Sequence, residues 1–244
     1  MTTRRFAIAV GWLAGAYVPI LALFWLLLRV PESNVLMLAA SAALVLAIAA
    51  LSGWVESVAL LVLGGEPFGT RTLLRGLRGI LPFVAALVLF GVIWWATGLA
   101  GAWWTGHRGE IDAWLIARFG WAETGWVHAA VRWVLVLARA VLGLSIALAL
   151  FAAFVVPPAA AGPGRSRLRR WASAGFSPLG LLVLLGLLVV FAWLPWQAAY
   201  WRPSWLPPTS AEVVFVAAKL GLLYLLATVG WALALVLANR LQAR

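Results

Sequence analysis

Six long apolar runs, separated by short polar or proline-rich breaks, take up most of the sequence. They span roughly Phe6–Leu28, Val35–Leu63, Ile80–Trp104, Val127–Val156, Pro178–Tyr200 and Ala211–Ala238. Each approaches or exceeds the ~20 consecutive apolar residues that a helix needs to cross a bilayer. The pattern therefore predicts an all-α integral membrane protein, six transmembrane helices in a single domain over residues 1–244. The second and fourth runs are longer than the hydrocarbon requires, so their helices are expected to tilt or project beyond it. Pro19 lies midway along the first run, where its missing N–H is expected to kink the helix.

The breaks carry patterns of their own. Gly64-Gly65-Glu66-Pro67 ends the second run, and a short amphipathic stretch follows. Arg71, Arg75 and Arg78 share one helical face, with Leu73, Leu74 and Leu77 on the other. A similar basic elbow follows the fourth run, from Pro157-Pro158 to Gly175. It carries Arg165, Arg167, Arg169 and Arg170, with Leu168 and Trp171 as its apolar side. Pro67, Arg71, Gly79 and Pro82 recur at one constant offset as Pro163, Arg167, Gly175 and Pro178. The chain thus reads as two pseudo-repeated units, about 45–104 and 145–200, hinged on basic cytoplasmic elbows. Residues 70–79 and 165–175 are expected to lie flat at the inner interface and bind anionic headgroups. Between the third and fourth runs, Ile111, Trp114, Leu115 and Phe119 recur at helical spacing, which predicts a short amphipathic helix on the outer surface. The link from Trp201 through Pro203, Pro207 and Pro208 is expected to be an extended strap.

Composition narrows the class. Hydrophobic residues make up 65% of the chain, charged residues 10%, and mean hydropathy is +1.03; a soluble domain is roughly half apolar and a quarter charged. The first run is too long for a signal-peptide core and no small-x-small cleavage site follows, so it is read as an anchor. The absence of cysteine excludes disulfides, thiol nucleophiles and cysteine-held metals. A net charge of +11 would suit a nucleic-acid binder, but the arginines are dealt out to alternate loops. Arg4, Arg5, Arg71, Arg75, Arg78, Arg165, Arg167, Arg169, Arg170, Arg240 and Arg244 fall on one side. Arg29, Arg108, Arg118, Arg132 and Arg202 fall on the other. That asymmetry puts both termini in the cytoplasm, with the protein in a bacterial cytoplasmic membrane and no nucleic-acid partner.

The unit of helix, elbow, amphipathic segment and helix, carried twice by the matched prolines, arginines and glycines, resembles a group of bacterial six-helix membrane domains. The membrane region attached to some glycerophosphodiester phosphodiesterases is of this kind. The resemblance covers roughly residues 45–104 and 145–200. The catalytic domain of those enzymes, with its metal-binding acidic residues, has no counterpart in the sequence. The resemblance therefore implies a membrane module and no hydrolase activity.

Tryptophan is the strongest compositional signal, with 17 residues. Trp12, Trp54, Trp171 and Trp231 lie toward the inner half, and all the others toward the outer half. An aromatic belt explains indoles at headgroup level, but it is expected at both faces. Two readings stay open: a belt alone, or a belt that also docks a partner subunit, an isoprenoid or a pigment. Trp103, Trp104, Trp114, Trp121, Trp126, Trp201 and Trp205 would form the docking surface.

Charges within the spans are candidates for function by default. There are three, Glu56, Arg139 and Lys219. The favoured reading is structural, with Lys219 snorkelling and Glu56 in a local ion pair with Arg71, Arg75 or Arg78. Arg139 is expected to point outward, away from Glu56. His128, Arg132 and Arg139 share one helix face, which fits an anion site at the outer mouth or simply a solvated helix end. His107, Glu110 and Asp112 supply metal-type ligands but lack helical histidine spacing, so a solvated loop is the expectation. No cofactor motif or nucleophile–base set is visible. The sequence thus points to a non-catalytic subunit or assembly scaffold binding a partner or hydrophobic ligand at its Trp-rich outer half. Its rivals are a small transporter or lipid-handling permease, and an intramembrane lipid-acting enzyme using His107, Glu110, Asp112 and His128.

Overall fold

A computed structural model describes residues 2–31, 34–121, 123–156, 166–201 and 210–242, apart from the side chains of Arg167, Leu168, Arg170, Ser210 and Ala211. All regular elements among the described residues are helical. Helix α1 (Thr3–Leu27) continues through Pro19 without a break. Helix α2 (Val35–Leu63) starts under Asn34, whose side chain accepts from the Met37 N–H at 2.9 Å. Helix α3 (Thr70–Gly76) and a 3-10 turn (Leu77–Gly79) lead directly into α4 (Ile80–Gly106). Helix α5 (Arg108–Phe119) ends on Gly120, whose φ of +67° is the left-handed conformation that glycine adopts cheaply. Helix α6 (Gly125–Leu137) passes through a π-helical turn (Ala138–Gly143) into α7 (Leu144–Val155). After α8 (Arg167–Gly175), helix α9 (Pro178–Leu188) passes through a second π-helical turn (Val189–Trp193) into α10 (Leu194–Tyr200). Helix α11 (Ser210–Gln242) is the last described element.

Six helical stretches are long and apolar enough to cross a membrane: Thr3–Leu27, Val35–Leu63, Thr70–Gly106, Gly125–Val155, Pro178–Tyr200 and Glu212–Gln242. The protein is an all-α, multi-pass membrane protein. The second π turn sits just before Pro195, which has no N–H to give to the preceding turn, so the widened turn absorbs the lost bond. The first π turn holds no proline. It holds Arg139.

Successive spans alternate in direction. The Arg5 guanidinium lies against Gly65, and the Gln242 amide donates to the Ala149 carbonyl at 3.0 Å. The start of α1, the short helices α3 and α8 and the end of α11 thus share a basic end. Helix α5 lies at the opposite, tryptophan-rich end. Arg165, Arg202, Trp205 and the rest of the strap at 202–209 fall outside the described residues.

The core occupies the basic half. Leu13, Val55, Leu60, Phe151, Ala152 and Leu235 are buried where α1, α2, α7 and α11 meet. No residue of α6 is buried, and Ser41 alone is buried in the first half of α2. Small residues make the close contacts, as they do where lipid tails compete with side chains for apolar surface. A Cβ on Gly79 would stand 1.7 Å from Ser57 Oγ, and one on Gly230 2.3 Å from Phe191 Cβ.

In the first elbow Thr72, Gly76 and Gly79 are buried, Gly76 beside Val58 and Trp54 and Gly79 beside Ser57, while Leu74 and Leu77 are exposed alongside Arg71, Arg75 and Arg78. Side-chain bulk decides this, because leucine would hold α3 off α2. In α8, Ala174 and Gly175 are likewise buried, and Ser145 donates to the Gly175 carbonyl at 2.9 Å.

Candidate functional site

Glu56, from α2, is fully enclosed in the basic half. Its Oε1 accepts the Tyr17 hydroxyl from α1 and the Trp231 indole N–H, at 2.6 Å, from α11. Its Oε2 has no hydrogen-bond partner among the described residues. The expected ion pair with an elbow arginine is not formed. Arg75 instead meets Glu66, at 2.7 Å on the surface, because Glu66 stands at the head of the same elbow. Glu56 therefore ties three spans together. Lys219 is held by backbone: its ammonium donates to the carbonyls of Ala199 and Trp201 at 2.7 and 2.9 Å, closing the end of α10.

The open half holds a groove of about 860 Å³ between α4 and the α6 segment. His128, Arg132 and Arg139 all line it, as their shared helix face predicts, and Arg108 joins them from the start of α5. Arg139 is half-buried. Its Nε donates to Thr97 Oγ1 at 2.8 Å, and its guanidinium lies over the Trp94 ring at 5.3 Å. Its Nη2 rests beside the bare backbone of Gly98 and Gly101. Thr97, Gly98 and Gly101 escape the sequence reading. Their signal is a small-residue face on the third run, which acquires meaning only once Arg139 is seen to lie against it.

At the mouth, the Trp104 indole donates to His128 Nδ1 at 2.9 Å, and His128 Nε2 lies 2.7 Å from Asp112 Oδ1. An indole N–H can only donate, so Nδ1 is the acceptor and the ring proton sits on Nε2, given to Asp112. Both ring nitrogens are thereby committed. Hydrogen bonds from Thr124 and His128, with a smaller attraction from Arg108, hold the Asp112 carboxyl below the usual carboxylate range. Arg108 itself stands 3.9 Å from Asp112. Of the metal-type residues noted in the sequence, Asp112 and His128 come together. His107 bonds the Trp103 carbonyl at 2.9 Å and stacks on the Trp103 ring, and Glu110 is exposed. Among the described residues no three His, Cys, Asp or Glu side chains gather as metal ligands.

The proposed docking tryptophans divide into groups. Trp114, Phe119, Trp121 and Trp126 form a string of ring contacts at 5.5, 5.1 and 5.1 Å. Trp114, Phe119 and Trp126 are more than half exposed. Trp104 is turned into the groove, while Trp103 stays exposed beside it. Trp201 packs near Phe215 beside a second, apolar groove of about 510 Å³ between α10 and α11. No family model, no curated protein and no solved structure matches this chain.

Proposed function

We propose that the chain is a non-catalytic subunit or assembly scaffold of a bacterial cytoplasmic membrane. Its basic end faces the cytoplasm, and its tryptophan-rich half binds a partner or a hydrophobic ligand. The observation that carries this reading is the string Trp114–Phe119–Trp121–Trp126. Rings braced against one another yet exposed form a stiff aromatic surface, the kind that supplies binding energy. Against an enzyme stands His128, the best-placed acid–base group, whose two nitrogens are already spent.

The cytoplasmic placement of the basic end rests on the arginine count. Exposed Arg71, Arg75, Arg78 and Arg169 suit anionic headgroups there. The pseudo-repeat draws support from Gly79 and Gly175, matched in sequence and each packed closely on the preceding span, Gly79 against Ser57 and Gly175 against Ile146 and Ala149. It is the same feature on which the likeness to phosphodiesterase-attached membrane regions rests. A second reading, a lipid-handling permease, gains from the arginine-lined groove.

Affinity purification in mild detergent tests the main reading. Trp114→Ala with Trp126→Ala is expected to release a co-purifying protein or hydrophobic ligand, whereas His107→Ala with Glu110→Ala leaves it bound. A cysteine at Thr105 should react with an impermeant maleimide from outside the cell. Loss of cellular function on replacing His107 and Glu110, with association intact, would reverse the reading toward an enzyme.

A further inference from the structure

We infer that the groove between α4 and α6 is a binding site for the phosphate headgroup of an anionic lipid drawn from the outer leaflet. The inference rests on the tryptophan-rich end being the outer one, and goes beyond the aromatic docking surface.

The argument is one of charge without compensation. Arg108, Arg132 and Arg139 line a single cavity, and Asp112 stands at its rim against Arg108 and His128. Asp112 is taken by His128 and lies 3.9 Å from Arg108. Glu110 and Glu123, on the adjoining segments, are exposed, and neither they nor any other carboxylate among the described residues comes within ion-pair distance of Arg132 or Arg139. A cation within a span is costly unless it is paired, reaches water or draws a headgroup inward. Thr97 and Trp94 orient Arg139 but do not neutralise it.

The shape fits a headgroup entering from the mouth. Arg132 and Arg139 lie two turns apart on one face, about 10 Å along the helix at 1.5 Å per residue, so the positive charges descend from the mouth as a ladder. Gly98 and Gly101 leave a wall of bare backbone opposite them. The π turn widens the helix where Arg139 emerges. A guanidinium presents a planar fork of donors that matches phosphate oxygens, and Arg139 has used only its Nε toward Thr97. Leu135 and Val136 provide apolar lining for the start of the chains.

The chain has no cysteine, so a single one placed in the groove reports its occupancy. Ala129→Cys lines the cavity and should react with an impermeant maleimide in nanodiscs of dioleoylphosphatidylcholine. Adding dioleoylphosphatidate is expected to slow labelling about tenfold, the effect of one net charge-assisted contact. Arg132→Gln, at an exposed side chain, should abolish that protection, and Arg139→Lys, which keeps the charge but not the fork, should reduce it. Unchanged protection in Arg132→Gln overturns the site, as does labelling indifferent to phosphatidate. Equal protection by inorganic phosphate alone overturns the lipid as its source. If Arg132→Gln does not fold, as judged by its helical circular dichroism, Arg139→Lys gives the deciding comparison. Trp114→Ala should leave protection intact, so failure of the groove and failure of the aromatic docking surface are read separately.

Discussion

In the basic half, Trp12, Trp54 and Trp171 each donate the indole N–H to a carbonyl of a neighbouring helix, at 3.0, 2.8 and 3.0 Å, and Trp231 donates to Glu56. In the other half, Trp94, Trp95, Trp126, Trp133 and Trp196 are all more than half exposed. The charges divide in the same way. Glu56 is enclosed by donors from two other helices, whereas Arg132 and Arg139 line an open groove. The contrast shows what packs helices in lipid. Apolar surface alone does not, because lipid tails cover it equally well; small residues at close approach and internal polar pairs do. The basic half has both in its closed core, whereas the polar pairs of the tryptophan-rich half, Trp104 with His128 and Arg139 with Thr97, border an open groove.

Glu56→Ala should show the largest effect on this comparison. It leaves the Tyr17 hydroxyl and the Trp231 N–H without their acceptor in a closed interior and should lower stability by about 3 kcal/mol. Glu56→Gln keeps an acceptor and should lose less. Thermal unfolding in detergent measures both, and a Glu56→Ala variant as stable as Arg132→Gln would erase the difference between the halves.

Glycine gives an intermediate effect. Gly79→Ala must displace Ser57, whose Oγ lies 1.7 Å from the new carbon, and should lose about 2 kcal/mol by overpacking. Gly106→Ala at the open end meets nothing within 4 Å and should be neutral or slightly stabilising. Adding Ser57→Gly to Gly79→Ala should recover part of the loss; no recovery would argue against the close contact.

The smallest effect belongs to acid. The pKa of Asp112 is lowered in the folded protein, so its contribution is fully present above the ordinary carboxylate value and is lost as pH falls through the lowered one. The Asp112 contribution to the corner joining α5 to α6 should be lost only below about pH 4. Asp112→Asn should remove that acid step in the fluorescence of nearby Trp104 and Trp121, measured against the same protein at neutral pH. An acid step of unchanged size would assign it to another group.

Six spans, their order and their approximate ends are legible in the sequence, because crossing a bilayer is a matter of length and hydropathy within each segment. The short helix at 108–119 was legible for the same local reason, one helix face at a time. What only tertiary structure decided is which face of each nearly uniform apolar helix meets its neighbour, since such a helix carries no hydrophobic stripe to announce it. Gly76 and Gly79 are therefore seen to meet α2 only in the folded chain, and Glu56 found Tyr17 and Trp231, 39 and 175 residues distant, in place of the arginines nearby. Arg139 shows the same division. Its depth is written in its own helix, but the groove it lines exists only because a second helix offers Thr97, Gly98 and Gly101 across from it.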